Sequence, residues 1–120
     1  MKKLILLAIL LFGTMIFAQD TPFVRKYVSV IEEGQKQMRA IDLTVVFNYK
    51  STKDLVFFFP DRQTYLYRTS NITKGKTEGG YQYQLFDAVI SENGQDVTIQ
   101  LFDTAMRVFI DGNYIEYHEE

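Results

Sequence analysis

Two dipeptides, Asn93-Gly94 and Asp111-Gly112, sit between stretches of alternating apolar and polar residues, and they limit what this chain can fold into more than any other feature. A two-residue hairpin turn whose twist suits its strands needs positive φ at both central positions, and Asn-Gly and Asp-Gly adopt it readily. Alternation with period two on both sides buries one face of the ribbon. Around Asp111-Gly112 the expected partners are Val108 with Ile115 and Met106 with Tyr117 on one face. Phe109 with Tyr114 and Arg107 with Glu116 fall on the other. Around Asn93-Gly94 they are Ile90 with Val97, Ala88 with Ile99 and Phe86 with Leu101. A slip of one residue would turn every apolar side chain outward.

The same pattern runs upstream. Ile41, Leu43, Val45, Phe47 and Tyr49 alternate with polar residues, and Leu55 to Phe59 follow after a short polar loop. Symmetrical closure of that loop sets Tyr49 opposite Leu55, Phe47 opposite Phe57 and Val45 opposite Phe59. A Tyr-rich hairpin, Gln63 to Ile72 and Tyr81 to Ser91, is joined by the glycine-rich stretch Lys74 to Gly80, which leaves its register open. From Thr21 to Gly34 two readings compete. Thr21-Pro22 would start a helix carrying Val24, Tyr27, Val28 and Ile31 at helical spacing. The β-branched content favours a strand, with Glu32 opposite Lys36 and Lys26 opposite Asp42. Together these segments predict an all-β fold: one antiparallel meander of seven to eight short strands, forming a small barrel, half-barrel or sandwich.

The first residues read as an address. Met1-Lys2-Lys3, the apolar run Leu4 to Phe17 and the small Ala18 have the order of a signal peptide, though Ile16 is larger than is usual three residues before a cleavage site. The expected domains are a cleaved signal at 1–18 and a single β domain at 19–120, exported to the periplasm or the medium. There is no cysteine, so neither a disulfide nor a lipid-bearing thiol is available, and no stable membrane anchor is expected after cleavage. Losing Lys2 and Lys3 moves the formal charge of −2 by two units to −4, and no basic stripe marks a nucleic-acid partner. The oligomeric state is left open.

Chemistry is sparse in the sequence. No nucleophile motif surrounds any serine, and the one histidine, His118, reads as a solvated tail residue. Asp42, Asp87, Asp103 and Glu116 are the acids from which a carboxylate hydrolase would be built, but no spacing singles out an acid and a base. The 91–96 turn lacks the ligand order of a calcium loop, and neither metal nor cofactor is expected. The stretch Gly75 to Gly80 opens no helix, so it fails as a phosphate cradle. Lys74 and Lys76 there would attract an anionic partner, unless the segment is an ordinary loop. Asn71-Ile72-Thr73 matches an N-glycosylation acceptor by chance composition.

Three surface features remain. Tyr65, Tyr67, Tyr81 and Tyr83 would line a ligand-binding mouth, or pack at the edge of the core. Val46, Val56 and Phe58 point away from the face that carries Phe47, Phe57 and Phe59. They are either covered or an interaction patch for a protein partner. The expectation is therefore a non-catalytic exported domain binding a small ligand or a protein. An inhibitor-type interaction module and a small hydrolase are the alternatives.

The Lys-Lys start, the Phe17-Ala18-Gln19 end of the leader and the closing hairpin from Met106 to Tyr117 resemble those of small exported β proteins of flavobacterial type. The resemblance implies compartment and general architecture and brings no active site. In that setting Asp103-Thr104-Ala105 resembles the acceptor of a general O-glycosylation system, with Thr104 as the modified residue.

Overall fold

The computed structural model describes residues 21–120; the leader expected at 1–18 and its cleavage lie outside the described residues. Within them there are nine strands and no helix: β1 (Phe23–Glu32), β2 (Arg39–Phe47), β3 (Asp54–Phe59), β4 (Arg62–Arg68), β5 (Thr73–Lys76), β6 (Gln82–Ile90), β7 (Asp96–Leu101), β8 (Ala105–Ile110) and β9 (Asn113–His118). All pair antiparallel, in the order β4-β3-β2-β1-β9-β8-β7-β6-β5. A further β4–β6 pairing closes eight of them into a barrel, with β5 outside it. The expected small barrel is therefore the fold, and closure pairs β4 with β6, leaving β5 as the strand with an unpaired edge among the described residues.

Inward-facing side chains fill the cylinder. Tyr27, Phe47, Phe86, Leu43, Ile99 and Met106 are its largest fully buried residues. Residues 23–32 are strand; of the residues at helical spacing Val24 and Val28 are exposed, so that spacing marks no buried face. The β1–β2 register shifts between Tyr27 and Ser29, so Tyr27 and Val30, three residues apart, are both buried. The pairs expected for this hairpin change accordingly: Lys26 lies opposite Thr44, and Glu32 ion-pairs with Arg39.

The Asp111-Gly112 hairpin has the expected pairs throughout, with φ of 51° and 83° at its two turn residues. The Asn93-Gly94 hairpin keeps its faces but shifts by two residues, pairing Ala88 with Val97, Phe86 with Ile99 and Gln84 with Leu101. Only Gly94 takes positive φ there. The Asn93 side chain accepts a hydrogen bond from Gln95 N (3.0 Å), and Gly94 N reaches back to Ile90 O (2.8 Å). That local bonding makes a longer turn competitive with the two-residue one. β2 and β3 show the same two-residue offset, with Phe47 opposite Leu55 and Val45 opposite Phe57. Here Asn48, at φ 57°, ends the strand, and the Asp54 carboxylate accepts from Lys50 N and Ser51 N. Tyr49 consequently leaves the core face and lies outside.

The Tyr-rich segment is not one strand. β4 stops at Arg68, whose side chain bonds Ser70 O, and the chain resumes pairing as β5. β6 thus pairs with β4 through residues 88–90 and with β5 through residues 82–85.

Candidate functional site

The β5–β6 ribbon reaches past the end of the barrel. The β6–β7 ladder ends at Gln84 opposite Leu101, while β6 and β5 remain paired to Gln82 opposite Lys76. Beyond that point residues 81–83 run on one side and the β7–β8 turn, residues 102–104, on the other. Between them opens a groove of about 720 Å³, walled by Lys74 to Lys76, residues 81–84 and residues 101–104. Its size falls within the range of small-molecule sites.

Cross-strand pairing sorts the ribbon's side chains. Lys74 with Gln84 and Lys76 with Gln82 share one face, while Gly75 and Tyr83 share the other. The Tyr83 ring lies directly over Gly75, where a Cβ would fall 2.5 Å from its ring atoms. A glycine is what allows that close approach. The same ring meets Phe102 in an edge-type contact, with centroids 5.7 Å apart at 64°. Tyr81 stands free, with 71% of its surface exposed. Among the described residues Lys74 and Lys76 form no ion pair, whereas Arg25, Lys26, Arg39, Arg62 and Arg107 each have one.

The wall opposite is held by a buried cation. Arg25, whose side chain is only 10% exposed, donates from Nη2 to the carbonyl oxygens of Phe102 (2.9 Å) and Asp103 (2.8 Å). Its Nε is bonded to the Glu119 carboxylate, and Glu119 N donates to Thr104 O (2.9 Å). A guanidinium with its donors spread over two carbonyls and a carboxylate fixes a turn far better than a point charge would.

The four tyrosines do not form one site. Tyr81 and Tyr83 line the groove, whereas Tyr67 is opposite Val89, about 20 Å along β6 from Tyr83 at the usual rise per residue. Tyr65 and Tyr67 instead join Val46, Val56 and Phe58 on the outer wall. A row crosses four strands there: Val24, Val46, Val56 and Tyr65, each opposite the next. Val56 is fully buried although it faces outward, and Tyr49 packs against both Phe58 (5.9 Å) and Tyr65 (6.4 Å). Tyr49, Tyr65, Tyr67 and Val24 remain exposed. Thr104 is exposed in the β7–β8 turn, on the rim of the groove.

The acids named from the sequence are spread around the barrel. Asp42 borders a depression at the β1–β2 side, Asp87 lies on the outer wall of β6 and accepts from Thr98 Oγ1 (2.8 Å), and Asp103 is in the groove. Glu116 lies between Arg107 and His118. Burial opposes its charge, but hydrogen bonds from both neighbours, and their charges, hold the carboxyl below its ordinary range. His118 is thus no solvated tail residue: it belongs to β9, opposite both Ala105 and Ser29, with Nε2 2.6 Å from Glu116. No group of His, Cys, Asp or Glu among the described residues is arranged to hold a metal ion.

Sequence reading missed Phe102, Arg25 and Glu119. A strand-end aromatic and two distant charges carry no local signal of a shared site; the β1–β9 pairing brings residues 25, 102 and 119 together. Set against known protein families, curated proteins and solved structures, the chain matches none.

Proposed function

We propose that this protein is an exported, non-catalytic binding domain and that the groove between the β5–β6 ribbon and the β7–β8 turn is its ligand site. The observation that carries this reading is Tyr81, an exposed ring beside the Tyr83–Phe102 pair, in a groove of about 720 Å³. Small-molecule sites are typically concave and lined by aromatic side chains with a few polar groups, as this groove is. The opposite wall is pinned by Arg25, so little ordering would remain to oppose binding. Native mass spectrometry of the secreted domain, before and after exposure to mixed glycan and lipid pools, tests the proposal. A retained adduct that disappears in Tyr81→Ala supports the groove. Adducts unaffected by Tyr81→Ala, or none from either pool, overturn it.

A second reading makes the outer wall a protein-binding surface, supported by the row Val24, Val46, Val56 and Tyr65. Phe58→Lys separates the roles: association lost with circular dichroism unchanged supports an interface, and unfolding assigns Phe58 to the packing over Val56.

A further inference from the structure

We propose that the ligand of the groove is an acidic oligosaccharide that passes round the ribbon, its carboxylate or sulfate held by Lys74 and Lys76 on one face and a further sugar ring laid on Tyr81 on the other. The inference rests on the groove being the ligand site and adds the chemical class. Lys74 and Lys76 are two residues apart on one strand and so lie on one face, about 7 Å apart. Neither is neutralised by an ion pair among the described residues. Two like charges held at that spacing attract a multi-oxygen anion, which relieves their mutual repulsion.

The rest of the groove suits a sugar more than a bare ion. Gln82 shares the lysine face, is exposed and offers both amide donors and acceptors, the combination that hydroxyl groups require. Thr104 adds a hydroxyl on the rim, and Tyr81 presents an exposed flat ring with a polar tip. Asp103 is the one carboxylate in the lining, set on the turn opposite the lysine strand, where it can accept from a sugar hydroxyl.

The lysines have a simpler use as well. Among the described residues β5 pairs only with β6 and leaves its other edge unpaired, and lysines on such an edge discourage pairing with another chain. Charge of either sign performs that task, whereas holding an anion requires positive charge. Lys74→Glu with Lys76→Glu therefore separates the two roles.

The test is calorimetric titration of the domain at low and physiological salt. The probes are an oligogalacturonate, its methyl ester, a sulfated galactan oligomer, its desulfated form and an oligoglutamate. We expect at least one acidic saccharide to bind at least tenfold more tightly than its neutral counterpart, with affinity falling as salt rises. The double Glu variant should abolish that binding while remaining monomeric and folded. Equal binding of acidic and neutral forms overturns the anionic assignment and leaves the groove standing. Binding of oligoglutamate as tight as that of either saccharide overturns the sugar assignment in favour of an acidic peptide. Acidic-saccharide binding unchanged in Tyr81→Ala overturns the groove itself. Failure of both acidic saccharides to bind overturns the class, even where the adduct test has upheld the groove.

Discussion

Replacing Tyr27 by Phe should make this barrel more stable. Tyr27 is fully buried, its ring packs against Tyr117 at 6.1 Å, and its hydroxyl has no hydrogen-bond partner among the described residues. Burial pushes the phenol far above its ordinary range, so it keeps its proton, and a buried O–H donor is left without an acceptor. Such a group costs about 1–3 kcal/mol relative to one that stays in water. Removing one oxygen leaves a void of roughly 10 Å³, which at about 24 cal/mol per Å³ returns only about 0.2 kcal/mol of that gain. The Arg25 guanidinium, 5.5 Å from the ring centroid, keeps an aromatic partner in the variant. The net expectation is a gain of about 1–2.5 kcal/mol. Each kcal/mol should raise Tm by about 4–8 °C in a domain of this size. Urea unfolding followed by circular dichroism measures it, with an unchanged m-value showing that the two end states are the same. A loss of 1 kcal/mol or more would show that the hydroxyl is bonded and would refute the reasoning.

Three further expectations concern single side chains. Glu116 has a depressed pKa when folded, so it contributes stability above the ordinary carboxylate pKa of about 4.3, and that contribution is lost as pH falls through the lower folded value. Stability profiles of wild type and Glu116→Gln should diverge at neutral pH and converge in acid; parallel profiles would contradict this. Arg25→Met leaves two carbonyls and Glu119 without their donor and should destabilise the fold by about 2–4 kcal/mol, less than a fully enclosed pair because Glu119 is partly exposed. Amide exchange should accelerate first at residues 102–105. Gly75→Ala should displace the Tyr83 ring from β5 and break its contact with Phe102, at a stability cost of about 0.5–1.5 kcal/mol. Aromatic proton shifts of Tyr83 would report the displacement; an unmoved ring would show that the backbone gives way instead.

The barrel was legible in the sequence because alternation and turn residues act locally. Asp111-Gly112 set its register correctly, since the turn and both faces favoured one arrangement. The shifts of two residues at β2–β3 and β6–β7 preserve every face, so the hydrophobic pattern could not distinguish them. The deciding contacts, Asp54 on the backbone of Lys50 and Ser51 and Asn93 on Gln95, are local polar bonds with no period. Half of the groove was legible in the same way: Tyr81, Tyr83, Lys74 and Lys76 are adjacent in sequence. The other half was not, because the Arg25–Glu119 clamp reaches the β7–β8 turn only after strands from both ends of the described chain have paired.

The eight ladders of the barrel are unequal in length. Seven of them hold four to seven residue pairs, while β4 and β6 share only three, between Arg68–Ala88 and Leu66–Ile90. Beside that short seam the chain turns aside at residues 69–72 and hands the remaining length of β6 to β5. Thermal breathing in a closed cylinder concentrates where the fewest bonds must break together. The β4–β6 seam, extended at its ends by hydrogen bonds from Thr69 N to Asp87 O and from Ser91 N to Tyr65 O, is the shortest ladder and so the line along which this barrel would part first. Parting there would unroll the wall into a curled sheet while leaving the β5–β6 ribbon, and the groove it carries, attached to one free margin.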